Sequence, residues 1–221
     1  QTILSNWKTS KTKLRAENLI ARLNAGQNNI GIRSNEDAQP DNRSAEGGNI
    51  KAENKTGLTR AAVLVPIISR DDGLQVLLTK RTEHLKNHPG QISFPGGSVD
   101  DTDLNAQNTA LRETEEEVGL DPSHVEIIGE LDQYIVGTGY LVSPIIGLIK
   151  PPFKLIRQED EVAEIFEVPL DFLIEPKNFK RYAREFNGTV HHHFSLTWQS
   201  YFIWGATAGM LRNLSERLLN E

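Results

Sequence analysis

The sequence predicts a layered domain that mixes strands and helices, α/β or α+β, with extra chain on its N-terminal side. Strand-length, β-branched apolar runs alternate irregularly with helix-period segments, and no unit recurs at a fixed interval, so a repeat architecture is excluded. The chain has 221 residues, 38% of them hydrophobic, which suits one ordinary core.

The opening QTILSNWKTSKTKLRAENLIARL carries Leu14, Leu19, Ile20 and Leu23 at helical spacing and reads as an amphipathic helix. Its five basic residues against one acid leave an organellar transit peptide as the alternative. Residues 24–56 are too polar to build a core, so 1–57 is expected to be a helix plus flexible connection and 58–221 the domain. LTRAAVLVPIIS (58–69) and LQVLLTKR (74–81) predict two strands joined by the turn RDDG. A Pro/Gly-rich loop, HPGQISFPGG (88–97), precedes a predicted helix at 103–118. There Leu104, Leu111 and Val118 recur every seven residues, roughly opposite Glu113 and Glu117, while Glu115 sits awkwardly near the apolar stripe. Strands follow at VEIIGEL (125–131), YLVSPIIGLI (140–149) and AEIFEVPL (163–170), and FSLTWQSYFIWG (194–205) leads into a closing helix.

Net charge −6 and a pI near 5.6 argue against a nucleic-acid surface, but permit a small phosphate-bearing ligand. Without cysteine there is no disulfide, thiolate zinc site or cysteine nucleophile. No apolar run reaches the ~18 residues a membrane span needs, and no secretory segment is evident. The expected location is cytoplasmic, with an organellar matrix as the alternative; oligomeric state is left open.

RETEEEVG (112–119) raises a chemical question. Glu113, Glu116 and Glu117 share one side of the helix, and Gly119 is a natural C-terminal cap, so carboxylates crowd the turn where the macrodipole disfavours anions. Arg112 offsets part of this charge. Oxygen ligands converging on one side suit Mg²⁺ or Mn²⁺, whereas a solvated acidic face is the plain alternative. FPGG just before this helix can bring bare backbone close to a phosphate or metal.

Together these residues resemble the Nudix hydrolase signature, G-x5-E-x7-R-E-U-x-E-E-x-G-U with U apolar, through Gly97, Arg112, Glu113, Glu116, Glu117, Gly119 and Leu120. Asp103 replaces the first Glu, with eight residues before Arg112, and Thr114 stands at a usually apolar position. That spacing resembles the coenzyme A diphosphatase branch. Its motif LLT-x-R-x4-R/K-x3-G-x3-FPGG is similar to LLTKRTEHLKNHPGQISFPGG (77–97), with Arg81, Lys86 and Gly90 in register.

The resemblance implies an α/β/α sandwich with a mixed β-sheet and metal-dependent hydrolysis of coenzyme A or acyl-CoA. The alternatives are another nucleoside diphosphate derivative, such as NADH or ADP-ribose, and a non-catalytic nucleotide sensor. It implies Glu113, Glu116, Glu117 and the Gly97 carbonyl as ligands of Mg²⁺ or Mn²⁺, with Arg112 orienting the glutamates. Asp103 either supports Arg112 or caps the helix. The general base is Glu161 or Glu113, with Asp160 or Glu159 behind, and Arg81, Lys80 and Lys86 are substrate-binding candidates. His191, His192 and His193 are not expected to share one ion, because adjacent strand residues face opposite ways. Tyr201, Trp204 and Trp198 read as core or interface aromatics, with adenine stacking as the alternative.

Overall fold

The structure, a computed structural model, describes residues 16–25, 30–35, 57–85, 88–186 and 188–219. Leu14 and Lys86 therefore lie outside the described residues. Strand β2 (Thr59–Arg70) runs into β3 (Gly73–Arg81) across the two-residue turn Asp71-Asp72, in the predicted hairpin, with Ile67 opposite Val76 and Arg70 opposite Gly73. From Thr59 to Ile68, β2 pairs in parallel with β8 (Tyr140–Ile149). Around these, β4 (Ile92–Ser93) and β9 (Val162–Pro169) pair with β3, β5 (Gly96–Ser98) with β2, and β6 (Val125–Glu130) and β7 (Gln133–Val136) with β8, all antiparallel. The sheet is mixed, as the sequence implied.

The residues of β2 explain the layers. Alternate side chains leave a strand on opposite faces. Ala62, Leu64 and Ile68 enter the clusters containing Ala110, Val118 and Leu120 beneath helix α2 (Ala106–Val118). Ala61, Val65 and Ile67 enter the larger core on the other side. That core includes Leu19 and Leu23 of α1 (Ala16–Ala25) and Ala208, Leu211, Leu214 and Leu218 of α4 (Ala206–Leu219). Both faces of the central strands are thus covered, which is why β2 reads as one continuous apolar run. The short α3 (Leu170–Leu173) follows β9 directly.

Three expectations are corrected. The stretch 24–56 is not wholly a polar connection: β1 (Ile32–Ser34) pairs in parallel with β7, and Ile32 is buried. The helix expected from 103 begins at Ala106, because Asn105 caps it by accepting from Asn108 N at 3.0 Å. Leu104 therefore falls before the helix and is 89% exposed, while Ala110 and Val118 carry the buried seam. The segment 194–205 is not one run but the turn of a hairpin. β10 (Lys180–Phe186), β11 (Thr189–Trp198) and β12 (Tyr201–Trp204) form a separate three-stranded antiparallel sheet, with Leu196 and Ile203 inward against the main core.

His193 is buried, edge-on to Trp204; His191, two residues away on the same face, is exposed, and His192 between them takes the opposite face. Tyr201 stacks on Phe166 and its hydroxyl donates to Glu164. Among the described residues no helix is long and apolar enough to cross a membrane.

Candidate active site

Helix α2 ends where the chemistry gathers. Gly119, at φ +66°, closes it with its N–H donating to Glu115 O at 2.8 Å, while Ile156 N and Gln158 N reach the carbonyls of Val118 and Glu117. These bonds satisfy the helix's terminal carbonyls and tie the loop before β9 to its end. Glu115, awkward in the sequence, simply faces solvent. Thr114 occupies its usually apolar position by donating its hydroxyl to Ala110 O at 2.6 Å, so the buried polar atom is satisfied.

Arg112 is saturated. Its Nε and Nη2 donate to Asp103 at 3.1 and 2.9 Å, Nη2 also to Ser98 O, and Nη1 to Glu113 at 2.9 Å and Glu116 at 3.1 Å. All five guanidinium N–H groups are committed within the protein. Asp103 is therefore the partner of Arg112 and also accepts from Thr109, while Asn105 does the capping. The Arg112 hydrogen bonds hold the Asp103 carboxyl well below the usual carboxylate range.

The glutamates differ by depth. Glu116 lies at the rim, its side chain 59% exposed. Glu113 is deeper, and burial pushes its carboxyl up, partly offset by Arg112. Glu117 is 4% exposed; Gly96 N donates to its Oε2 at 3.3 Å and Arg81 Nη1 lies 3.6 Å from its Oε1. Burial raises this carboxyl to about 8, because Arg81 and the Gly96 amide compensate it incompletely. Glu161 is exposed, and its charge acts on both Glu113 and Glu117.

β5 presses on the same carboxylates. A Cβ built on Gly97 would lie 2.4 Å from Glu113 Oε2, and one on Gly96, at φ +155°, would lie 2.4 Å from Ala62 O. The two glycines predict different failures. Gly97→Ala should displace only the carboxylate of Glu113 and leave backbone in place, lowering kcat about a hundredfold with little change in melting temperature. Gly96→Ala collides with backbone and should destabilise the fold. Steady-state kinetics beside thermal melts separate the two.

The structure thus brings together Glu113, Glu116, Glu117, Gly97, Arg112, Arg81 and Glu161. It does not bring in Lys80, which precedes Arg81 on β3 and takes the opposite face, across from Glu164. Lys86 falls outside the described residues.

Five carboxylates against two guanidiniums, one of the acids deeply buried and undercompensated, fit a hard divalent cation bound through oxygen. Among the described residues no group of three or more His, Asp or Glu side chains is close enough together to hold an ion. The guanidiniums of Arg112 and Arg81 hold the central glutamates instead.

The NUDIX domain family matches residues 58–187, which contain this whole constellation. The chain belongs to the Nudix hydrolase family. Among curated relatives it is 45% identical to the uncharacterized Nudix hydrolase NudL of Escherichia coli K12, over 157 residues that cover 71% of this chain and 81% of the relative. It is 43% identical over the same lengths to NudL of Enterobacter sp. strain 638. Among solved structures, a MutT/nudix family protein from Enterococcus faecalis superposes with a TM-score of 0.46 at 17% identity, covering 74% of this chain and 63% of that one. Nudix hydrolases cleave nucleoside diphosphate derivatives with the help of divalent cations, and this Nudix hydrolase carries Glu113, Glu116 and Glu117 on its helix α2.

Sequence reasoning missed one buried cluster elsewhere. Asp132 accepts from Gly31 N, Arg33 Nε, Asn213 Nδ2 and Arg217 Nη2, fastening β1 to α4. Its partners lie 81 to 101 residues from Asp132, and no local signal marks them.

Proposed function

We propose that this Nudix hydrolase splits the diphosphate of coenzyme A or its thioesters, giving 3',5'-ADP and 4'-phosphopantetheine or its acyl form. The observation that carries the proposal is the meeting of both ends of the LLT-x-R…FPGG motif on one carboxylate: Arg81 approaches Glu117 Oε1 and Gly96 donates to Glu117 Oε2. The motif that resembles the coenzyme A branch is therefore part of the catalytic helix's own surroundings. Arg81 also offers a cation for the phosphates of such a substrate.

Glu113, Glu116, Glu117 and the Gly97 carbonyl would hold Mg²⁺ or Mn²⁺, which when bound offsets the charge of the diphosphate and acidifies water. Arg112 fixes the Glu113 and Glu116 rotamers, and the Gly96 amide fixes Glu117. Glu161, near both inner glutamates yet open to solvent, accepts the proton of the attacking water. A water oxygen bonds to one phosphorus, the bridging P–O bond breaks, and the second phosphate leaves as a monoester. Glu113 is the rival base. Glu161→Gln should lower kcat about a hundredfold and leave KM near wild type. A kcat close to wild type in Glu161→Gln would transfer the role to Glu113.

The test of substrate class compares coenzyme A with its 3'-dephospho form, NADH and ADP-ribose, with products resolved by chromatography. Preferred release of 3',5'-ADP from coenzyme A supports the proposal. Faster cleavage of NADH or ADP-ribose would keep the hydrolase and discard the branch.

A further inference from the structure

We infer that Arg81 is a resident counter-cation, which Glu117 exchanges for the metal ion, freeing a guanidinium toward the substrate's phosphates. The inference rests on the metal reading above and concerns how two positive charges share one carboxylate.

The two arginines of the site are built differently. Every N–H of Arg112 is hydrogen-bonded within the protein. Arg81 has only the 3.6 Å approach to Glu117, too long for a hydrogen bond, and its side chain makes no other polar contact among the described residues. Its backbone, by contrast, is firmly placed. Arg81 N donates to Gln91 O at 2.9 Å, and its Cα pairs with Val162 across a bulge on β9. A fixed backbone thus carries a side-chain head with unused donors, 23% exposed at the edge of the acidic cluster.

Glu117 has one oxygen on the Gly96 amide, so the oxygen turned toward Arg81 is the one left for a cation. An ion bound there would sit within a few ångströms of the guanidinium, and like charges so close and so little screened repel. The long side chain can swing outward along the strand edge. Metal binding and presentation of Arg81 are then one event, so the site offers its phosphate donor only once loaded.

The experiment measures Mn²⁺ binding to the purified full chain without substrate, from the electron paramagnetic resonance signal of free Mn²⁺. Arg81→Gln should bind Mn²⁺ about tenfold more tightly than wild type, the scale of a partly screened charge pair. Lys80→Gln makes the same charge change on the opposite face and should bind as wild type. Unchanged or weaker binding in Arg81→Gln overturns the inference, as does equal tightening in Lys80→Gln, which would indicate a general field. Absence of Mn²⁺ binding to wild type would instead sink the metal reading itself. A second measurement needs no variant: arginine-selective labelling with phenylglyoxal, read by peptide mass spectrometry, should become severalfold faster at Arg81 when Mg²⁺ is added and stay slow at Arg112. Equal labelling of Arg81 with and without Mg²⁺ overturns the exchange.

Discussion

Glu117→Gln is expected to lower kcat about a thousandfold, roughly 4 kcal/mol in the barrier, while making the metal-free protein more stable above pH 8. Both effects come from one carboxylate. The site needs its charge to hold a cation, yet without one that charge is buried at 4% exposure with only a 3.3 Å amide and a 3.6 Å guanidinium as company. Its folded pKa, about 8, lies above the ordinary 4.5. The neutral form is therefore favoured by folding. Stability from this group is full below about pH 4.5 and is lost as pH rises through about 8. Glutamine is neutral throughout. Thermal or urea unfolding in EDTA should show the variant close to wild type near pH 4.5 and ahead by a few kcal/mol above pH 8. Added Mg²⁺ should raise the stability of wild type more than that of the variant. Parallel pH profiles for the two proteins would show that burial of Glu117 costs nothing.

That trade of stability for charge was partly visible in the sequence, because the acids, the capping glycine and the FPGG loop are local signals. The spacing of Glu113 and Glu117 on one helical side needs only the helix period. The start of the helix was not so easily read. Leu104 sits seven residues before Leu111, yet Asp100, Thr102 and Asp103 fold into a turn, with Asp100 N donating to Asp103 Oδ2, and Asn105 then caps. Hydrophobic spacing does not register where the chain bends. The layers followed from β2, whose apolar run fills both faces. The role of residues 30–35 did not follow, since a three-residue strand in a polar stretch has no periodicity to detect, and its partners come from 99 and 183 residues away. Lys80 and Arg81 show the same limit: the motif names both, and only strand alternation separates their faces.

Asp132→Ala should destabilise the protein by about 3–5 kcal/mol, the cost of leaving buried charges unpaired, and loosen the segment around β1. Asp132 is buried and accepts from Gly31 N at 2.9 Å, Arg33 Nε at 2.7 Å, Asn213 Nδ2 at 2.9 Å and Arg217 Nη2 at 2.5 Å. Burial alone would raise its carboxyl, but Arg33, the Gly31 amide and Arg217 outweigh burial and hold it below the ordinary value of 3.8. Its contribution is therefore present above that value and is lost as pH falls through the depressed folded pKa. Removing the carboxylate strands Arg217, which has one buried nitrogen already without a hydrogen-bond partner among the described residues. Arg33 would keep Glu216, at 2.7 Å. The consequences should therefore be uneven. Melting should fall by roughly 10 °C, and proteolysis near residues 30–35 should accelerate, while kcat measured below the new transition stays near wild type, because none of these residues reaches the α2 carboxylates. Asp132→Asn, which keeps the shape and loses the charge, should fall between. If Asp132→Ala melted with wild type, the cluster would be only a set of satisfied polar groups, and the attachment of β1 would rest on its pairing with β7, the burial of Ile32 and the Arg33–Glu216 pair. Pairing with β7 sets the register of β1, whereas an aspartate accepting from the Gly31 amide, the Arg33 side chain and Asn213 and Arg217 of α4 fixes where β1 meets α4.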